Sequence, residues 1–200
     1  MRKIVGVFLV VAGLLTGPVL VAHAAESNQS IELRDSSAVK TYGDEADDFG
    51  VKPQDRLQDA AHIDGHTPTS IPGGKIVTTG ELLKALGAPD RAPIVFDVLE
   101  RNSPHKPLPG ALVWTFANSP GTFKDKAQAY VKTVLDAVMG DDKSYPIVFY
   151  CGGANCWQGY NAALRAIHAG YGNVYWYRGG VRAWDLYEAE QAQSGGQSAE

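Results

Sequence analysis

From residue 75 onward the chain alternates short apolar runs with longer stretches whose apolar positions fall three and four apart. Residues 75–78 read as a short strand. Thr78-x-x-Glu81 is a capping-box signature and predicts a helix through Leu82, Leu83 and Leu86, stopped by Gly87. Residues 93–98 form a continuous apolar run ending at Asp97 and Val98, the pattern of a strand buried on both faces. A proline-rich loop over 99–110 leads to a short strand at 111–114. Phe123, Ala127, Val131, Val134 and Val138 then keep helical spacing, which predicts a helix capped by Thr122, reaching Met139 and ended by Gly140. Residues 147–150 are the next buried strand, and Cys151 follows at once. Trp157, Tyr160, Leu164 and Ile167 form another helical stripe, closed by Gly170. Residues 173–177 predict a last strand, and residues 181–191 a last helix. Strands alternating with helices imply an α/β domain of three layers, with a mainly parallel central sheet flanked by helices. In such sheets a functional site belongs at the carboxyl ends of the strands.

The ends of the chain carry a different pattern. Arg2 and Lys3 precede a largely apolar stretch over 4–15, and Ala22-His23-Ala24 offers small residues at the right spacing for a signal peptidase. Residues 1–24 therefore read as a signal peptide cleaved after Ala24, which places the mature protein in the periplasm or outside the cell with no membrane anchor. Residues 25–70 read as a polar N-terminal extension, solvated and partly disordered, or a docking arm for a basic partner through Asp44, Glu45, Asp47 and Asp48. Residues 71–191 form the folded domain, and 192–200 a frayed polar tail.

Composition narrows the function classes. The 200 residues carry a formal charge of -4, and removal of Arg2 and Lys3 takes it to -6, so no nucleic-acid footprint is expected. Two cysteines are too few for a four-thiolate zinc site or a cysteine-only iron–sulfur cluster. No Cys-x-x-Cys-His is present for haem attachment. His62 and His66 stand four apart, but Gly65 and Pro68 argue against a helix there, so they read as surface histidines. No metal and no cofactor is expected. In an exported chain the two thiols meet an oxidising compartment, where a disulfide persists.

The chemistry concentrates in residues 147–157, Ile-Val-Phe-Tyr-Cys-Gly-Gly-Ala-Asn-Cys-Trp. Cys151 stands at the end of a buried strand. Gly152, Gly153, Ala154 and Asn155 are small enough to curl into a nest of N–H groups before a helix opens at Trp157. The nest and the helix N-terminus both favour an anionic sulfur, so Cys151 is expected to be an accessible nucleophilic thiolate. Cys156 is either a small side chain at the helix start or a partner that attacks an oxidised or persulfidated Cys151. Closing that disulfide requires Cα atoms within about 7 Å. Asp97 is expected to support the loop, accepting hydrogen bonds from it or pairing with Arg101 or Arg178. Tyr150, Trp157, Tyr160, Trp176 and Tyr177 read first as core packing, with an aromatic rim as the alternative.

In these residues the sequence resembles the rhodanese-like domain family over about residues 71–190. Pro146 to Cys151 resembles the strand entering the rhodanese active-site loop, and Asn161 to Ala166 the following helix. Gly170-Tyr171-Gly172-Asn173-Val174 resembles the family's Gly-Tyr-x-Asn-Val strand, and Gly179-Gly180-Val181-Arg182-Ala183-Trp184 its Gly-Gly-x-x-x-Trp helix. Ile94 to Val98 looks like the strand ending in the family's Asp, and Leu108 to Ala111 like its Ile-Pro-Gly-Ala turn. The resemblance implies a sulfurtransferase in which Cys151 carries a sulfane sulfur as a persulfide, taken from a small donor and passed to an acceptor thiol. Residues 152–156 would then form the cradle. Four positions depart from the pattern: Ala154 replaces a common Gly, Cys156 an Arg or Thr, Pro107 a His, and Arg101 lies further from Asp97 than usual.

Asn155-Cys156-Trp157, Tyr160 to Ala163 and Val174 to Tyr177 are similar to a narrower exported family named for a Cys-x-x-Cys-Trp motif, although here the cysteines are separated by four residues. That family is associated with alcohol catabolism dependent on pyrroloquinoline quinone (PQQ). Three expectations follow: an exported sulfurtransferase, a thiol redox accessory of a periplasmic quinoprotein dehydrogenase or transport component, or a non-catalytic binding module on the same shell.

Overall fold

The computed structural model describes residues 40–196 apart from residue 141. The signal peptide expected over 1–24, the first part of the expected extension and the last residues of the tail lie outside the described residues.

Five strands form one parallel sheet: β1 (Lys75–Val77), β2 (Ile94–Asp97), β3 (Leu112–Val113), β4 (Ile147–Tyr150) and β5 (Val174–Tyr177), in the order β1-β5-β4-β2-β3. Between them run four helices: α1 (Thr79–Leu86), α2 (Lys126–Met139), α3 (Gln158–His168) and α4 (Gly180–Gly196). Every residue of β4 and β5 is buried. Their Ile-Val-Phe-Tyr and Val-Tyr-Trp-Tyr sequences are continuous apolar runs because helices cover both faces. Alternation along the strands divides the core in two. Phe96, Ile147, Phe149, Val174 and Trp176 pack with Val131, Leu135, Ala163 and Leu164 of α2 and α3. Val95, Val148, Tyr150, Tyr175 and Tyr177 pack with Leu82 of α1 and Ala183 and Trp184 of α4. The expected three-layer α/β architecture is thus present.

Local signals set most boundaries. The capping box forms, with the Thr78 amide donating to Glu81 Oε2 at 2.8 Å and the Glu81 amide donating to Thr78 Oγ1 at 3.4 Å. At α2 the expected start moves. Asp125, not Thr122, is the N-cap, accepting from the Gln128 amide at 2.7 Å. The reason is tertiary as well as local. The same carboxylate receives the guanidinium of buried Arg165, which also takes the carbonyls of Ser119, Pro120 and Thr122, so residues 119–124 are held as a turn. Phe123 therefore precedes the helix and stacks on His168 at 3.5 Å between centroids.

The N-terminal extension departs most from expectation. From Lys40 on it is packed onto the α/β unit. Glu45, Leu57 and Thr67 are buried. Two α3 side chains replace a strand partner for it: Tyr160 Oη accepts from the Gln54 amide and donates to the Gln54 carbonyl, at 2.9 and 2.7 Å. The amide group of Asn161 likewise takes the Gln58 N–H and C=O, at 2.7 and 2.9 Å. Arg178, at the end of β5, donates to the carbonyls of Glu45 and Thr67 and to Thr67 Oγ1. The acidic cluster is partly spent on this internal attachment. Glu45 accepts from the amides of Tyr42 and Thr79 and from the Thr79 hydroxyl, while Asp44 lies 3.6 Å from Arg182. At the other end, α4 continues through residues expected to fray, as far as Gly196.

The close approach of α4 to the loop after β4 requires Gly180. Its φ is +56°, and a Cβ there would lie 2.1 Å from the Cys151 carbonyl oxygen. Gly110 has φ +77° with open space around it. Replacing Gly110 with Ala carries only the backbone penalty, about 1 kcal/mol. Gly180→Ala adds a clash with rigid backbone, and we expect a loss of about 3 kcal/mol or more. Urea denaturation of the two variants tests this ordering, and equal losses would refute it.

Candidate functional site

β4 ends at Tyr150, and residues 151–157 form the loop before α3. Cys151 and Cys156 are joined by a disulfide with Cα atoms 6.3 Å apart, within the span a bridge tolerates. The Gly159 amide, in the first turn of α3, points at Cys151 Sγ at 3.2 Å. The N-cap Trp157 supplies no side-chain acceptor, so the sulfur takes one of the orphan donors of that turn.

The loop is gripped from two sides. The Cys151 carbonyl accepts from the Val181 amide and the Gly152 carbonyl from the Arg182 amide, both at 3.0 Å, at the start of α4. On the opposite side, the Ala154 carbonyl accepts from the Thr67 amide at 3.1 Å and from Thr67 Oγ1 at 2.6 Å. The Asn155 carbonyl accepts from the Gly65 amide at 2.8 Å, and the Trp157 amide donates to the Ile63 carbonyl at 2.9 Å. Asp64 and Cys156 form an antiparallel bridge. Inside the loop, the Cys156 amide donates to the Gly153 carbonyl. The carbonyls of residues 151–155 are therefore occupied. Among the described residues, the amides of Gly152, Gly153, Ala154 and Asn155 have no protein acceptor.

The sulfur itself differs from expectation. The sequence pattern predicts an accessible thiolate ringed by those amides. Cys151 is instead 1% exposed and Cys156 6%, and the sulfur faces a single amide, that of Gly159. The oxidised pair is a buried uncharged bridge. Trp157 is core rather than rim: it is buried and meets Tyr160 edge-on at 4.9 Å, and Tyr160 meets Trp176 edge-on at 5.1 Å.

Asp97, fully buried at the end of β2, pairs in register with Tyr150, one residue before Cys151. It is a supporting residue with partners other than those expected. Its Oδ1 accepts from the Leu99 amide at 3.0 Å and its Oδ2 faces His105 Nε2 at 2.7 Å. Arg101 stands exposed in the turn beyond. Arg178 is committed to the N-terminal segment and stacks over Phe49. Sequence reasoning passed over His105, although it sits two residues before Pro107, the position where the family resemblance led us to look for a histidine.

Both ring nitrogens of His105 face acceptors, the Ser103 carbonyl at Nδ1 (2.7 Å) and the Asp97 carboxylate at Nε2. Only the imidazolium donates from both. Burial opposes that charge, but the Ser103 carbonyl and Asp97 outweigh it and raise the His105 pKa above its ordinary value. His62 and His66 do not come together: His62 pairs with Asp59, and His66 Nδ1 lies 2.6 Å from Asn155 Oδ1. No group of three or more metal-ligating side chains occurs among the described residues.

A cysteine at the end of a central parallel strand, a glycine-rich loop with free amides and a Gly-Gly helix closing on it form one continuous unit. A family profile described as Rhodanese-like domain matches residues 78–186, which include the strand, the loop and the start of that helix. The chain belongs to the rhodanese-like domain family. No curated protein matches it significantly. Among solved structures it is similar to an uncharacterized protein from Saccharomyces cerevisiae, at 18% identity and a TM-score of 0.41, over 58% of this chain and 95% of that one. In this rhodanese-like domain the segment that contributes Ile63, Gly65 and Thr67 to the loop precedes the matched region.

His105 gives a pH test. A raised folded-state pKa contributes stability that is full below the unfolded value, about 6.5, and is lost as pH rises through the folded value. We expect the stability advantage of wild type over His105→Gln, measured by urea denaturation, to be greatest at acidic pH and to shrink on the alkaline side. A constant difference across that range would show that His105 is not held as an imidazolium.

Proposed function

We propose that this rhodanese-like domain exchanges sulfur at Cys151, with Cys156 as the resolving thiol. The observation that carries this reading is the disulfide joining the loop cysteine of the β4–α3 junction to a second cysteine on the same loop. In the dithiol form, the α3 N-terminus and the Gly159 amide favour the Cys151 thiolate. That thiolate attacks the sulfane sulfur of a small donor, the donor's bond to that sulfur breaks, and the remainder leaves with the bonding electrons, as sulfite from thiosulfate or a thiolate from a persulfide. The unpaired amides of residues 152–155 supply donors for the anionic outer sulfur. The persulfide passes this sulfur to an acceptor thiol, or Cys156 resolves it. In resolution Cys156 loses its proton and attacks Cys151 Sγ. The S–S bond to the outer sulfur breaks, and that sulfur leaves as hydrosulfide with the bonding electrons. Cys151 and Cys156 end as the disulfide, and an external dithiol must reduce it before the next cycle.

A second reading rests on the same bridge. A loop that carries a closed disulfide in place of an open thiol suits a thiol redox accessory. The leader-like residues 1–24 and the similarity to the Cys-x-x-Cys-Trp family support work in the periplasm beside a PQQ-dependent alcohol-oxidising enzyme or its transport component.

Intact mass of protein handled without reductant should show the bridge, about 2 Da below the dithiol, with no titratable thiol. After reduction, thiosulfate or a small persulfide should leave an adduct of about 32 Da on Cys156→Ser, return wild type to the bridge, and add nothing to Cys151→Ser. Absence of the adduct from Cys156→Ser, with the bridge present in wild type, would favour the redox reading. Two free thiols together with no adduct would leave only a binding module.

A further inference from the structure

The N-terminal segment ahead of β1 does more than fill a surface. It is pinned upstream at Gln54 and Gln58 by Tyr160 and Asn161. It is pinned downstream at Thr67 by buried Arg178. Between these anchors, Ile63, Gly65 and Thr67 bond directly to the backbone of Trp157, Asn155 and Ala154, and Asp64 bridges Cys156. The only side-chain addition on this stretch toward the loop, besides Thr67 Oγ1, is the His66–Asn155 contact, with His66 stacked on Phe49 at 4.0 Å. The segment thus lies along the half of the loop that holds Cys156, and its neighbour Cys151 is shut from solvent. Attack on a disulfide requires an approach in line with the S–S bond, so a buried bridge reacts only through an opened form.

We propose that residues 63–67 are a strap that gates the disulfide: exchange at Cys151–Cys156 proceeds through local opening of this segment, and the strap sets how readily the pair is reduced. This rests on the reading of the pair as redox-active. The strap is suited to opening without global unfolding, because it is short, is joined to the loop chiefly by hydrogen bonds, and places no buried apolar side chain between its anchors other than the partly buried Ile63. Such contacts lie at the low-stability end of a fold.

The test is reduction of the oxidised full chain by dithiothreitol, which is oxidised to its cyclic disulfide while Cys151 and Cys156 take up two electrons and two protons. In wild type the rate should level off as reductant is raised, because opening becomes limiting. His66→Ala combined with Thr67→Val removes the Asn155 contact, the Thr67 hydroxyl bond to Ala154 and the Arg178 Nε bond to that hydroxyl, and should speed reduction about 10- to 150-fold, the range three lost hydrogen bonds imply. Near-UV circular dichroism of the oxidised variant checks that the fold is kept. A wild-type rate that stays linear in reductant and is unchanged in the variant overturns the strap. Should the variant not fold, amide exchange in oxidised wild type decides. The Gly65, Thr67 and Trp157 amides must open together at the plateau rate of reduction, and reduction faster than their opening overturns the proposal. An oxidised starting protein shown by mass to hold no bridge would instead count against the redox pair, separating the two failures.

Discussion

The seven-residue loop after β4 depends on hydrogen bonds that come from elsewhere in the chain. Its one internal backbone bond, from the Cys156 amide to the Gly153 carbonyl, contributes about 1 kcal/mol. Ordering each of its residues costs about 1–2 kcal/mol of backbone entropy. The loop is therefore held by α4 on one side and by residues 63–67 on the other. Apart from the Trp157 amide, which donates to Ile63, both partners act on carbonyls, and this determines what remains. With the carbonyls of residues 151–155 taken, the amides of 152–155 are left as the loop's free polarity, and that polarity is positive.

The same clamp explains the glycine pair ahead of α4. The first free amides of α4, those of Val181 and Arg182, reach Cys151 and Gly152 only because Gly180 brings the helix start against the loop backbone. Gly179 is equally constrained, since a Cβ there would meet Ala183 and Glu45. Backbone shape at residues 179–180, the attachment of the N-terminal segment through Glu45 and Arg178, and the position of the cysteine loop are consequently one connected arrangement. Asp97 and His105 brace the neighbouring strand end as a hydrogen-bonded pair set in a largely buried place.

The electrostatic character of the site depends on the state of the sulfur. As a bridge, Cys151 and Cys156 are neutral and pack with the larger core cluster beside Trp157 and Tyr160. As a thiolate or persulfide, the loop sulfur would be an anion beneath the first turn of α3, among amides that lack acceptors. Burial disfavours that charge and the helix terminus favours it. An oxidised pair in a covered loop avoids the conflict, which gives a physical reason for the cover and the bridge to occur together.

Local residue patterns suffice for the alternation of strands and helices, the capping box at Thr78, the continuous apolar runs of β2, β4 and β5, and the cysteine at the carboxyl end of a central strand. Each of these follows from residues within one turn or one strand of each other, where periodicity and local hydrogen bonding suffice. Tertiary structure decided what needed partners distant in the chain. Arg165 moved the start of α2 from Thr122 to Asp125, and Arg178 turned away from Asp97 to hold the segment from Glu45 to Thr67. His105 took the place expected for Arg101, and α3 captured Gln54 and Gln58. The extension read as solvated because its composition is polar and its few apolar residues have no period. Its order comes from backbone groups bonded to side chains more than a hundred residues away, and no local pattern encodes that.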